Sequence, residues 1–208
     1  MTTSYEELTG ENYKGLGLSY KKSGKMKKAI EAFRQAKKIS PFDKTIYFEL
    51  GYSYIHNNEF SKAIDELKRG IRLDPNYIDA QFYLAVAHEL NSDVDMAMQI
   101  YKKLIEKKPT FLSAYNNLAG LYLRCGLMGE SAQLFKNLLR INPEYTRAFL
   151  GIAIAFDKLG FNFKAIKYYK KYIKIKPDSV NIPYVLERIE KLRAKRKICN
   201  KPYLKLIS

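Results

Sequence analysis

The residues that could perform chemistry are few and lie far apart in the chain. The two histidines are separated by 32 positions and the two cysteines by 74: His56, His88, Cys125 and Cys199. These spacings match neither a metal-ligand set nor a disulfide framework. The motifs HExxH, GxSxG, GxGxxG and GxxxxGK[ST] are absent. The sequence therefore predicts no enzyme activity, no metal site and no cofactor.

Composition and charge favour a folded, basic protein. The chain has 208 residues, 47% of them hydrophobic, with 37 Lys and Arg against 21 Asp and Glu, a net charge of +16. Apolar content at this level excludes a disordered chain. The two cysteines favour a reducing compartment, and the N-terminal residues form no signal sequence. The longest apolar run, at 151–156, is too short to span a bilayer. We expect a cytoplasmic location and no membrane span.

Five prolines reveal an internal repeat. They lie at positions 41, 75, 109, 143 and 177, and each follows a similar phrase: KKISP, IRLDP, IEKKP, LRINP and IKIKP. Successive prolines are 34 residues apart. Because proline lacks an N–H and disfavours helix in the residue before it, each marks the end of a helix. The chain thus divides into five frames: 10–43, 44–77, 78–111, 112–145 and 146–179.

Each frame predicts two amphipathic helices joined by a short turn. Apolar or aromatic residues recur at positions 4, 7 and 11 of the frame, which is the spacing of one helical face. Position 8 is always small: Gly17, Gly51, Ala85, Ala119 and Ala153. In the second helix a small residue at position 20 is followed by a large one at position 24: Phe33, Leu67, Tyr101, Phe135 and Tyr169. The small residues allow the two helices to approach closely.

These residues resemble the tetratricopeptide repeat, a 34-residue helix-turn-helix unit. The resemblance covers residues 10–179 and departs from the family pattern at Gln81, His88 and Ser131. Late in the second helix, Leu104, Leu138 and Tyr172 are also larger than the small residue that the pattern has there. It implies an all-α fold, a right-handed superhelical solenoid of antiparallel helix pairs. The segment 180–197 is predicted to form a helix whose apolar face caps the array, with Ile182, Val185, Leu186, Ile189 and Leu192 on that face. Residues 1–9 are expected to be a loose N-terminus and 198–208 a basic tail.

The resemblance also implies a concave groove lined mainly by the first helix of each pair. The groove positions of the middle frames are rich in aromatic and amide side chains. We predict a scaffold that binds a peptide or helix of a partner protein through aromatic anchors and polar clamps. The anchors are Phe48, Tyr52, Phe82, Tyr83 and Val86, and the clamps are Asn116, Asn117 and Arg147. Packing of these rings between neighbouring repeats is the alternative.

The positive charge concentrates near the C-terminus and suggests another partner. Residues 145–208 contribute +12 of the total of +16. The predicted basic patch comprises Lys167, Lys170, Lys171, Lys174, Arg188, Lys191, Lys195 and Arg196. Such a patch could bind RNA, an acidic protein segment or an anionic membrane surface, with Tyr168, Tyr169 and Tyr172 as stacking platforms for bases. A solvated helix face is the simpler alternative, and self-association remains a further possibility.

Overall fold

A computed structural model describes residues 9–199, with side chains as far as residue 194. Within these residues it contains eleven α-helices and no strand. They are α1 (Gly10–Lys22), α2 (Met26–Ile39), α3 (Lys44–His56), α4 (Phe60–Leu73), α5 (Ile78–Leu90), α6 (Val94–Lys107), α7 (Leu112–Arg124), α8 (Met128–Ile141), α9 (Thr146–Lys158), α10 (Asn162–Ile175) and α11 (Ile182–Cys199). The predicted all-α fold class is confirmed.

The chain divides into two compact units between Pro109 and Thr110. The first contains α1–α6 and the second α7–α11, and in each unit consecutive helices pack against one another. Every first helix has 13 residues and every second helix of α1–α10 has 14. The pairs fall within the frames defined by the prolines, and we retain those frames as proposed repeat boundaries.

The turn inside each helix pair uses the same backbone conformation at the same frame position. Residue 15 of each frame has a positive φ: Gly24 (71°), Asn58 (61°), Ser92 (64°), Gly126 (80°) and Gly160 (78°). This left-handed conformation ends a helix and is easiest for glycine and asparagine. The short turn predicted within each frame therefore lies directly after its first helix.

The core of the first unit lies between the two helices of each pair. Leu50, Ala63 and Leu67 are fully buried there, and Gly51 lies directly beneath Leu67. Position 7 of the frame is buried in α3 and α5, at Leu50 and Leu84, but Leu16 of α1 is 40% exposed. Because no described helix precedes α1, its outer apolar face has no partner within residues 9–199.

Gln81, a departure from the repeat pattern, makes the hydrogen bond that an aromatic residue makes elsewhere. In the second frame, Tyr47 donates from its hydroxyl to the carbonyl of Pro41, at 2.7 Å. In the third frame, Gln81 donates from Nε2 to the carbonyl of Pro75, at 2.6 Å. Both side chains therefore tie the start of a first helix to the proline turn before it.

We expect Gln81→Leu to lower the free energy of unfolding by about 1 kcal/mol, because the Pro75 carbonyl loses a donor while apolar volume is kept. Tyr47→Phe should have a similar effect. The measurement is urea unfolding followed by circular dichroism. Gln99→Leu, on the exposed side of α6, is the control and should change stability by less than about 0.5 kcal/mol. Equal effects of Gln81→Leu and Gln99→Leu would contradict the assignment.

Ser131 and His88, two further departures, also make polar contacts. Ser131, at a small-residue position of α8, is fully buried and donates from Oγ to the carbonyl of Ala119 at 2.7 Å. His88 is buried, and its Nδ1 lies 2.8 Å from Oδ2 of Asp93. His88 is therefore packed in the core at an aromatic position of the repeat and contacts Asp93 through one ring nitrogen, while its buried Nε2 has no hydrogen-bond partner among the described residues.

The last helix of the second unit packs on α10 through part of the predicted face. Val185, Ile189 and Leu192 are buried, whereas Leu186 is 50% exposed. The helix begins at Ile182, two residues after the predicted start, and ends at Cys199. At the other terminus Thr9, predicted to be loose, is the N-cap of α1 and accepts a hydrogen bond from the Asn12 amide. Residues 1–8 and 200–208, including most of the predicted tail, lie outside the described residues.

Candidate functional site

Five aromatic residues form a continuous surface in the first unit. We call Phe48, Tyr52, Tyr77, Phe82 and Tyr83 the aromatic surface. Phe48 and Tyr52 are one turn apart on α3, Phe82 and Tyr83 follow each other on α5, and Tyr77 is the N-cap residue of α5. The side-by-side packing of α3 and α5 therefore creates this surface.

The rings of the aromatic surface contact one another mostly edge to face. The Phe48 ring lies 5.5 Å from that of Tyr83 and 5.3 Å from that of Tyr77. Tyr52 lies 5.2 Å from Tyr83, and Phe82 lies 5.4 Å from Tyr83. Tilted and edge-to-face geometries at these distances are favourable for aromatic pairs. The sequence prediction that four of these residues act together is consistent with this geometry.

The same rings also contribute to the core, so the two interpretations of the sequence are not exclusive. Phe48, Tyr83 and Val86 pack against the buried core of the first unit while remaining only half-buried. Phe82 contacts the buried ring of Tyr101 at 5.9 Å. Tyr52 is half-buried and borders His56, whose ring lies 4.4 Å away. Tyr52 is thus the predicted anchor that depends least on the core.

Burial changes the acidity of two tyrosines of the aromatic surface. It raises the pKa of Tyr77 to about 12, with nearby carboxylates adding to the effect. Burial likewise raises the pKa of Tyr83. Among the described residues, the hydroxyls of Tyr52 and Tyr83 have no hydrogen-bond partner. These two hydroxyls are therefore available as hydrogen-bond donors at the edge of an apolar surface.

Two ion pairs border the aromatic surface, one between neighbouring frames and one within the second frame. Lys21 of α1 pairs with Glu49 of α3, and its Nζ lies 5.0 Å from the centre of the Tyr52 ring. Lys44 pairs with Asp74 at 2.5 Å and lies 5.4 Å from the centre of the Tyr77 ring. Each cation thus contacts both a carboxylate and an aromatic face, which holds the rim of the surface in place.

Tyr77 was missed by the groove pattern, although the sequence carries a signal for it. It stands at the last position of its frame, where the next two frames have Phe111 and Tyr145. An aromatic residue at the last position of three consecutive frames indicates that it has the same role in each turn between frames. In the first unit that role is contact with the Phe48 ring.

The predicted polar clamps lie in the second unit, on α7 and α9. The side chain of Asn116 donates from Nδ2 to Oδ1 of Asn117 at 3.2 Å. Arg147 is exposed and lines a cavity of about 290 Å³ with Leu150, Lys176 and Val180. The side chains of the two asparagines therefore contact each other, and Arg147 lines a cavity of the same unit.

Part of the predicted basic patch is neutralised by ion pairs. Arg188 of α11 donates from Nε and Nη2 to the carboxylate of Asp157, at 2.5 and 2.7 Å. The hydrogen bond to Asp157 raises the pKa of Arg188, while burial raises the pKa of Tyr169, whose hydroxyl also donates to Asp157. Lys191 pairs with Glu187 on the helix exterior. Arg188 therefore links α11 to α9 through Asp157 and is not a free cation of the predicted patch.

The other members of the predicted patch divide between α10 and the end of α11. Lys167, Lys170, Lys171 and Lys174 are exposed on α10, whereas Lys195 and Arg196 belong to the part of α11 whose side chains are not described. The three tyrosines expected to stack on bases instead pack against other residues of the protein. Tyr169 and Tyr172 are buried, and the Tyr168 ring lies 5.8 Å from Phe156.

Residues 9–199 contain no cluster of three or more His, Cys, Asp or Glu side chains that could hold a metal ion. No helix in this range is long and apolar enough to cross a bilayer.

Comparison with known proteins agrees with the repeat geometry. The fold is typical of proteins built from successive packed helix pairs. Models of the tetratricopeptide repeat match residues 11–43, 79–110 and 112–145, and a TPR repeat model matches residues 51–92. The chain therefore belongs to the tetratricopeptide repeat family. No curated protein sequence matches it.

Solved structures share the fold at low sequence identity. A crystal structure of MamA protein has a TM-score of 0.73 and 22% identity, covering 96% of this chain and 98% of its own. YrrB, described as a TPR protein with an unusual peptide-binding site, has a TM-score of 0.70 and 15% identity, covering 88% and 94%. A tetratricopeptide repeat protein from Parabacteroides merdae ATCC 43184 has a TM-score of 0.76 and 16% identity, covering 91% and 78%.

Proposed function

We propose that the protein is a non-enzymatic scaffold that binds an extended or helical segment of a partner protein. The observation that carries the proposal is the aromatic surface of the first unit. The core holds Phe48, Tyr77 and Tyr83 in place, ring contacts join Tyr52 and Phe82 to Tyr83, and all five rings remain partly exposed. Rigid aromatic side chains bury a large apolar area at low entropic cost, which makes them effective anchors.

The chemistry of the surface defines the partner segment. Apolar side chains would fill the spaces around Phe48 and Tyr83, while the free hydroxyls of Tyr52 and Tyr83 would donate to its backbone carbonyls. Family membership supports protein binding, and the similar protein YrrB is described as having a peptide-binding site. Asn116, Asn117 and Arg147 are proposed as further contacts in the second unit. We do not assign RNA binding to the aromatic surface, because its edges carry paired charges.

Replacing Tyr52 with alanine tests the proposal most selectively. Alanine at Phe48 or Phe82 would also remove core contacts, whereas Tyr52 depends less on the core. Peptides selected from a random display library on the wild-type protein are the probes, and their affinity is measured by fluorescence anisotropy. We expect Tyr52→Ala to weaken their binding 10-fold to 100-fold, because a central aromatic anchor is lost. The thermal midpoint should change by only a few degrees.

The control is Phe163→Ser, which removes a similar exposed ring from the second unit. It should leave peptide affinity unchanged. Selected peptides that bind wild type and Tyr52→Ala equally would disprove the assignment of the aromatic surface. Loss of helicity in Tyr52→Ala would show that this ring is core, and Tyr52→Phe would then isolate the hydroxyl with an expected loss of about 5-fold.

A further inference from the structure

The outward face of α10 carries a row of exposed residues distinct from the aromatic surface. Phe163, Lys167, Lys170 and Lys174 follow one another at steps of four, three and four residues, which places them on one side of the helix. We call these four residues the α10 row. The opposite side, with Ala165, Tyr169 and Tyr172, is buried.

The lysines of the α10 row have no ion-pair partner among the described residues. Lys164 and Lys171, on the same helix, instead lie over aromatic rings: Lys164 is 4.9 Å from the centre of Phe161, and Lys171 is 5.7 Å from that of Tyr168. The sequence of α10 contains no acidic residue at all. The other second helices each contain at least one: Glu31 in α2, Asp65 and Glu66 in α4, Asp95 and Glu106 in α6, and Glu130 in α8.

Phe163 is the unusual member of the row. Its side chain is 74% exposed, and Phe161, two residues earlier, is 51% exposed. The position of Phe163 is occupied in the other frames by Lys27, Ser61, Asp95 and Gly129. The repeat fold therefore needs no aromatic residue there. A large apolar ring exposed beside a row of lysines indicates an interaction site.

This combination fits a lipid surface better than a nucleic acid. Helices that lie on membranes place lysines against anionic headgroups and insert phenylalanine or leucine at the acyl boundary. Single-stranded RNA would need a series of aromatic faces on which successive bases stack, but the α10 row offers the single ring of Phe163. On the same helix Tyr169 and Tyr172 are buried, and Tyr168 packs against Phe149 and Phe156. The row projects from the outside of a helix, so one flat partner can contact all four side chains.

We propose that the α10 row docks the second unit onto an anionic lipid surface. Phe163 enters the boundary between headgroups and acyl chains, and Lys167, Lys170 and Lys174 lie against the phosphate and carboxylate groups of the lipids. Binding is peripheral and reversible, because three lysines and one ring supply a modest affinity.

Co-sedimentation with vesicles tests the proposal on the full chain. The probes are phosphatidylcholine vesicles with and without 30% phosphatidylserine, in 0.15 M and 0.5 M NaCl. We expect binding only to the anionic vesicles, and weaker binding at high salt. The triple variant K167Q/K170Q/K174Q should reduce partitioning about 100-fold. Phe163→Ser, with serine as in the second frame, should reduce it about 10-fold.

A matched variant removes the same charge from the outward face of α2. Lys27, Arg34 and Lys38 are exposed there, and K27Q/R34Q/K38Q should retain at least half of the wild-type partitioning. Equal loss in the two triple variants would overturn the proposal, because only net charge would then matter. Unchanged binding of Phe163→Ser would also overturn it.

Two further arms separate the remaining sources of binding. The variant K201Q/K205Q removes charge near the C-terminus, and a loss confined to this variant would contradict a role for α10. A fluorescein-labelled oligouridylate is tested by anisotropy with the same proteins. Binding of this RNA that is lost in K167Q/K170Q/K174Q, without binding to anionic vesicles, would replace the lipid with a nucleic acid.

Discussion

Replacing Asp157 with alanine is expected to destabilise the second unit by about 3 kcal/mol. The side chain of Asp157 is 5% exposed and accepts hydrogen bonds from both Arg188 and Tyr169. Its removal leaves the buried Tyr169 hydroxyl without an acceptor and Arg188 without its counter-ion. Breaking a buried pair costs about 3–5 kcal/mol, and the lower value applies because the Arg188 side chain is 32% exposed and can reach water.

Urea unfolding followed by far-ultraviolet circular dichroism measures this loss. Glu187→Ala is the matched control, since it removes a carboxylate from an exposed ion pair with Lys191 on the same helix. We expect its effect to stay below about 0.5 kcal/mol. Tyr169→Phe removes only one of the two donors to Asp157 and should cost about 1 kcal/mol. Equal stability of Asp157→Ala and Glu187→Ala would show that α11 is not held by this carboxylate.

Replacing Gly51 with valine should destabilise the first unit by about 3 kcal/mol. A Cβ atom at this position would overlap Leu67 and lie 2.8 Å from its Cδ2 and 3.1 Å from its Cδ1. Leu67 is fully buried, so it cannot move without disturbing the core. Forcing extra carbon atoms into a packed core costs about 1–3 kcal/mol, and the two γ-methyl groups of valine place this variant at the upper end.

A second glycine in a helix of the same unit provides a control, because its substitution should raise stability where Gly51→Val lowers it. A Cβ atom on Gly15 would have no heavy atom within 4 Å. Gly15→Ala should therefore stabilise the unit by about 0.5–1 kcal/mol, because alanine forms helix more readily. Thermal melts of both variants give the comparison. A Gly51→Val midpoint at or above that of wild type would exclude close packing of α3 against Leu67.

Much of the fold could be predicted because the repeat determines it locally. The prolines fixed the frames, and the helical spacing of apolar residues fixed which faces are buried. Turn-favouring residues predicted the turn in every frame, whereas the positive φ of Asn58 and Ser92 became evident only in the structure. Leu186 shows the limit of this reasoning. It belongs to the apolar stripe of α11 by spacing, but α11 packs so that only Val185, Ile189 and Leu192 are covered.

The site was predictable in its residue types but not in its contacts. Groove positions taken from the family pattern located Phe48, Tyr52, Phe82 and Tyr83, which the structure places in ring contact. Counting charges in the sequence could not separate free basic side chains from those in ion pairs, so Arg188 was assigned to the basic patch. That contact depends on the packing of α11 near α9. The sequence did, however, contain a signal that Asp157 has a partner inside the protein. The two frames with tyrosine at position 24, Tyr101 and Tyr169, carry an acid at position 12, Glu89 and Asp157.

The exposed face of α1 has a consequence for the motions of the first unit. Leu16 is 40% exposed where Leu50 and Leu84 are buried, so α1 loses less apolar contact on opening than α3 or α5 does. Local opening should therefore be least costly at α1. Backbone amides of α1 would exchange with solvent deuterium before those of α3. The aromatic surface, built on α3 and α5, thus lies on the slowly exchanging part of the unit, and its anchors stay ordered while the end of the unit frays.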